Sequence, residues 1–138
     1  MWQAEKSATF FLFVSRMKRV VITGIGALTP IGNTAPEYWQ NLLKGKSGAA
    51  PITRFNTANY KTRFACEVKN FDPAQFIDKK EVRRLDRFAQ FALVCSDEAI
   101  KDAGLDKEGV DKDRIGVIWA SGIGGLDVFI EEITNLAL

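Results

Sequence analysis

Three clusters in this chain have residue types and spacings that do chemistry elsewhere. The first is Gly24-Ile25-Gly26, at the end of the β-branched run Arg19 to Ile25, RVVITGI. Such a turn lets a backbone approach a pyrophosphate when it belongs to a G-x-G-x-x-G motif. Here the third glycine is replaced by Thr29, and Pro30 would break the helix that must begin there. No acidic residue closes a second strand about 20 residues on, where a ribose would be held. The pattern favours a tight turn over a nucleotide site. The second cluster is Ser121-Gly122-Ile123-Gly124-Gly125. It lacks the Gly-Lys-Ser/Thr ending of a P-loop, so ATP or GTP hydrolysis is unsupported. Glycines there let a backbone pack closely on another element or on a ligand, with Ile123 the one large side chain on offer. Structural turn and ligand wall both fit. The third cluster is Lys79, Lys80, Arg83, Arg84 and Arg87. Three- and four-residue spacings place several of these charges on one exposed helix face, which is either merely solvated or serves an acidic partner. Cations at a helix N-terminus oppose its dipole, which argues for a role beyond helix stability.

The chain has no histidine and two cysteines, Cys66 and Cys95. Neither cysteine fits a CxxC or metal spacing, so no zinc site or disulfide framework is expected, and no metal or cofactor. Cys95 falls in register with Phe88, Ala92 and Ala99 on a helix face, where a thiol acts as a small buried hydrophobe. With no imidazole to deprotonate it, it is a poor nucleophile.

Charge balance removes further classes. The 138 residues are 46% hydrophobic and 26% charged with a net charge of +2, which gives no global drive toward nucleic acid or membrane. The apolar run Ala8 to Val14 is far short of the ~20 residues of a membrane span. Its flanks, with Glu5 offsetting Lys6 and no small-residue cleavage site, do not suit a signal peptide. Residues 1–16 are set aside as an extension, disordered or the product of a misassigned start, with Met17 the more natural first residue.

The elements that must position these clusters are legible in outline. Arg19 to Ile25 reads as a strand buried on both faces. Thr34 to Glu37, TAPE, is a capping box opening a short helix that ends at Gly45. Residues 46–62 read as loop, and Arg63 to Lys69 as a short strand. Asp78 and Glu81 form a second capping box, and apolar residues from Val82 to Ala103 repeat at helical spacing until Gly104, predicting one long helix. Arg114 to Ala120 is a second buried strand, and Leu126 to Leu136 begins another amphipathic helix. Strands alternating with helices imply an α/β protein with a parallel or mixed sheet.

Taken together, MKRVVITGIGALTPIGN, RFN with FACEVKNFD, DKKEVRRLDRFAQFAL and WASGIGG resemble the type II β-ketoacyl-acyl carrier protein synthases. The resemblance runs from about Met17 to Leu136. The type II assignment rests on Ile123, where type I enzymes typically have a third glycine, and on KKEVRR; polyketide relatives share the pattern. It implies part of the first half of a thiolase-like αβαβα fold, a mixed sheet flanked by helices, incomplete in this chain. It also implies a cytoplasmic homodimer that takes acyl groups from acyl carrier protein, with no nucleic acid, membrane or cofactor involved. In the family a cysteine and two histidines perform the condensation of malonyl carrier protein with an acyl thioester, and all three lie downstream. No catalytic residue is therefore expected here, and residues 17–138 are expected to be an N-terminal portion inactive alone. The resemblance assigns Ile123 to the acyl pocket and Lys80, Arg83 and Arg84 to carrier-protein docking, with Lys79 and Arg87 at the margin. The competing reading is a freestanding α/β binding module for a nucleotide or an acidic protein.

Overall fold

The computed structural model describes residues 18–138. The reading of residues 1–16 as an extension lies outside the described residues. Among the described residues four α-helices carry the architecture: α1 (Ala35–Leu43), α2 (Lys79–Val82), α3 (Arg87–Ala103) and α4 (Leu126–Ala137). Two short strands, β1 (Ala50–Pro51) and β2 (Phe64–Ala65), pair antiparallel with Ala50 opposite Ala65 and Pro51 opposite Phe64.

Helix α1 starts where its capping box places it. The Thr34 hydroxyl accepts from the Glu37 N–H at 3.3 Å. The Glu37 carboxylate accepts from the Asn33 N–H at 2.7 Å, one residue before the usual partner. Strand β2 lies within the expected strand Arg63 to Lys69 but keeps only its first part, and its partner β1 comes from the stretch expected to be loop. Pro51 stands where an N–H would face away from β2, so it costs the pair nothing, and the Ile52 N–H beyond it donates to the Arg63 carbonyl at 3.1 Å.

The single long helix expected from Asp78 to Ala103 is two helices. Asp78 caps α2 by accepting from the Lys80 N–H at 2.8 Å. The chain then leaves helical geometry until Asp86, which caps α3 by accepting from the Arg87 N–H at 2.6 Å. A second capping residue inside an apolar repeat is a competing start signal, and it wins here because Gln90 also satisfies the break. Its side-chain amide donates to the Val82 carbonyl at 3.0 Å and the Leu85 carbonyl at 2.9 Å. The apolar period continues across the break, so periodicity alone could not reveal it.

The two long strands expected at Arg19 to Ile25 and Arg114 to Ala120 have no ladder partner among the described residues. Their side chains are open to solvent: Val20 is 94% exposed and Ile118 96%. A strand is defined by its neighbour, and a buried-strand pattern without a paired backbone is only extended chain. At the end of the first run, amides find carboxylates instead. The Ile25 N–H donates to Asp102 at 2.9 Å and the Ala27 N–H to Glu98 at 2.8 Å, both acceptors on α3.

Val94, in the middle of α3, is the one buried hydrophobic side chain among the described residues. Around α3 gather an aromatic cluster, Phe71 with Phe91 at 5.2 Å and Phe76 at 6.5 Å between ring centroids, and the backbone around Gly24 and Gly26. This helix is the spine to which both glycine turns are fixed.

Candidate functional site

The first glycine turn packs on the C-terminal half of α3. A side chain at Gly24 would overlap the Ala99 carbonyl and Ala103, and one at Gly26 would overlap the Cys95 carbonyl. Cys95, Ala99 and Ala103 make the small-residue face that permits this approach. The amides that a phosphate would need at Ile25 and Ala27 are already given to carboxylates, and those acids would repel an anion. Glu98 also accepts from the Ala35 N–H at 2.8 Å, so one carboxylate ties the turn and the start of α1 to the spine. A pocket of about 570 Å³ beside it is lined by Ile25, Pro36, Tyr38, Trp39, Glu98 and Asp102.

Sequence reasoning left Glu98 and Asp102 aside because acids on a helix surface usually face water. The signal that would have found them is their position beside the small-residue face, four residues apart. Cys95 is half-buried, and burial followed by the nearby negative charge of Glu98 pushes its thiol pKa up. That environment opposes thiolate formation, as expected for a structural cysteine. Cys66 is exposed. Among the described residues no group of three or more His, Cys, Asp or Glu is arranged to hold a metal ion.

The second glycine turn packs on the other end of α3. Gly124 has a φ of +79° and lies against the Phe88 ring, and the Asp86 carboxylate fills the space where a Gly125 side chain would stand. The Ser121 hydroxyl accepts from the Gly124 N–H at 3.1 Å, closing the turn from which α4 starts. Ile123 projects from this turn and is 81% exposed. Arg54 reaches Asp127 in the first turn of α4 at 3.5 Å, an exposed pair of little energetic weight.

The basic cluster lies on α2 and the break behind it. Lys79, Lys80, Arg83 and Arg84 are exposed. Among the described residues Lys79, Lys80 and Arg83 have no ion-pair partner, while Arg84 approaches Glu81 at 3.6 Å. Arg87 departs from the group: it opens α3 and its guanidinium stacks over the Phe91 ring at 5.3 Å. The expectation that five cations crowd the start of a long helix is thus corrected. The Asp86 carboxylate opens α3, Lys79 and Lys80 sit on the separate short α2, and Arg83 and Arg84 lie in the break between the two helices. Asp86, two residues after Arg84 in the chain, stands against Gly125, so the segment that bears the cations touches the turn that bears Ile123.

Residues 17–137 match the family model described as beta-ketoacyl synthase, N-terminal domain. The chain belongs to the beta-ketoacyl synthase family. A 3-oxoacyl-[acyl-carrier-protein] synthase 2 from Synechocystis is 51% identical over 119 residues, which are 86% of this chain and 29% of that protein. One of the same name from Staphylococcus aureus strain N315 is 53% identical over 116 residues, 84% of this chain and 28% of the relative. The chain therefore spans less than a third of the length of these synthases. Among solved structures, the ishigamide ketosynthase/chain length factor aligns with a TM-score of 0.68 at 34% identity, covering 87% of this chain and 30% of that one. A ketosynthase complex, a type II PKS acyl-carrier protein with its ketosynthase bound to the hexaketide, aligns at 0.66 and 28% identity, covering 87% of this chain and 32% of that chain. The helices and small sheet seen here are an incomplete α/β piece of a ketosynthase fold. No described helix is long and apolar enough to cross a membrane.

Proposed function

We propose that this chain is the N-terminal portion of a cytoplasmic, homodimeric condensing enzyme of fatty-acid synthesis. It presents the carrier-protein docking surface and one wall of the acyl pocket. The reaction is the decarboxylative condensation of malonyl carrier protein with an enzyme-bound acyl thioester. This chain holds no histidine, so the imidazoles that assist decarboxylation come from elsewhere in the enzyme, as does the nucleophilic cysteine. Its own residues orient and select: Lys80, Arg83 and Arg84 receive the acidic carrier protein, and Ile123 limits how long a chain enters. The runs Arg19 to Ile25 and Arg114 to Ala120 become inner strands of a mixed sheet in the αβαβα fold. Their solvent-exposed valines and isoleucines support that reading, because such runs need cover on both faces.

The observation that carries the proposal is the pair of exposed cations Lys80 and Arg83, without an ion-pair partner among the described residues, on the segment whose Asp86 meets the turn that bears Ile123. A nucleotide-binding module is disfavoured by the carboxylates that occupy the first turn's amides. Steering by exposed charge raises association rate and weakens with salt. Reversing Arg83 and Arg84 to glutamate in the complete synthase should raise KM for carrier-bound substrate about tenfold and flatten its salt dependence. Small thioesters without the carrier should react as before. Equal loss with both substrates would make the cluster structural and sink the docking assignment.

A further inference from the structure

The glycines of the Ser121 to Gly125 turn are glycines for different reasons. A side chain at Gly122 would meet nothing within 4 Å. Gly124 has a φ of +79°, which penalises any side chain whatever the space. Gly125 has a φ of −88°, which every residue adopts, yet the Asp86 carboxylate stands where its Cβ would be. The requirement for glycine at 125 is imposed by a neighbour and not by the backbone.

That neighbour is not free to move. The other oxygen of Asp86 accepts from the Arg87 N–H at 2.6 Å and caps α3, and Gln90 holds the two carbonyls that precede it at 3.0 Å and 2.9 Å. Swinging the carboxylate aside would uncap a helix of 17 residues. Asp86 is therefore a fixed stop against which the turn seats, and Ile123 is two residues away from the point of contact.

We propose that Asp86 is a positioning residue for acyl-chain selection: its carboxylate, locked as the cap of α3, sets through Gly125 where the Ile123 side chain stands. This rests on the reading of Ile123 as a wall of the acyl pocket. Asp86 touches no substrate and acts only through the turn.

The test is second-site suppression. In the complete synthase, Gly125→Ala should push the turn off Asp86 and change the ratio of long-chain to short-chain turnover about tenfold. Adding Asp86→Gly, which removes the whole obstructing side chain and leaves a residue that N-caps tolerate, should return the ratio to within about twofold of the parent. Gly124→Ala should also perturb the ratio, but Asp86→Gly should not rescue it, since that strain is in the backbone. A readout independent of activity uses the 138-residue chain: the Gly124 amide and Ile123 methyl resonances should move in Gly125→Ala and return in the double variant. Ile123→Phe checks the underlying reading. A flat chain-length profile for Ile123→Phe with restored resonances overturns the acyl-pocket reading while leaving the Asp86 contact standing. A shifted Ile123→Phe profile with resonances that stay displaced overturns the Asp86 assignment alone.

Discussion

Removing the Glu98 carboxylate should loosen the first glycine turn and α1 together. In Glu98→Ala the N–H groups of Ala27 and Ala35 lose acceptors at 2.8 Å each. A bond from a backbone amide to a charged acceptor contributes about 1.5–3 kcal/mol when fully enclosed. Both of these are half-buried, so water replaces part of each, and about 1 kcal/mol apiece, roughly 2 kcal/mol in all, is expected. Asp102→Ala removes a single exposed bond to the Ile25 N–H, and about 0.5 kcal/mol should follow. Glu98→Gln should fall between the two, since its amide offers one oxygen and presents an NH₂ to the other donor. Hydrogen exchange at the Ala27 and Ala35 amides reads this directly, because local opening is resolved even where the global stability is small. In Glu98→Ala both should exchange about thirtyfold faster, with the Val94 amide nearly unchanged. Equal acceleration across α3, or no difference between Glu98→Ala and Asp102→Ala, would refute the clamp.

Further outcomes follow from the turns and the thiols. Gly122→Ala should change stability by less than about 0.5 kcal/mol, whereas Gly124→Ala should cost about 1 kcal/mol for its left-handed backbone, both read by equilibrium unfolding. Replacing Ile123 by phenylalanine in the complete synthase should slow long acyl chains about tenfold more than short ones in turnover assays, and equal slowing would remove the gating role. Cys66 should alkylate with iodoacetamide readily, while Cys95 should need a higher pH than an ordinary thiol. The sign follows from its raised pKa: the folded state holds the proton after the unfolded chain has released it. Any stability tied to Cys95 is full below the ordinary thiol range and declines as pH rises through the folded value. Faster labelling of Cys95 than of Cys66 would contradict its placement.

Local signals in the sequence were sufficient wherever the deciding interaction is local. The TAPE capping box marks the start of α1, and the Asp78 cap marks the start of α2, because those bonds span two to four residues. The break at Arg83 to Asp86 was hidden because Val82, Leu85, Phe88 and Ala89 keep helical period across it. The second cap, Asp86, had been available to read. The runs at Val20 and Ile118 show the converse: their composition is that of inner strands, but pairing depends on a backbone distant in sequence, and none of the described residues supplies it. Of the candidate site, the exposure of the cations and the large side chain of Ile123 between glycines were legible from residue type and spacing. Gln90, Glu98 and Asp102 were not, nor was the contact of Asp86 with Gly125, since these act through contacts that only the folded chain creates, and acids on helix surfaces carry no mark of a backbone partner.

The most direct test of the central claim is a chimera in which residues 17–137 replace the matching segment of the Synechocystis synthase, to which this chain is 51% identical over 119 residues. Ketoacyl product is then measured from acyl and malonyl carrier proteins, with the 138-residue chain alone as the companion sample. Product is expected from the chimera, sensitive to charge reversal at Arg83 and Arg84, and none above background from the chain alone. A folded chimera without product, or clear turnover by the chain alone, would contradict it.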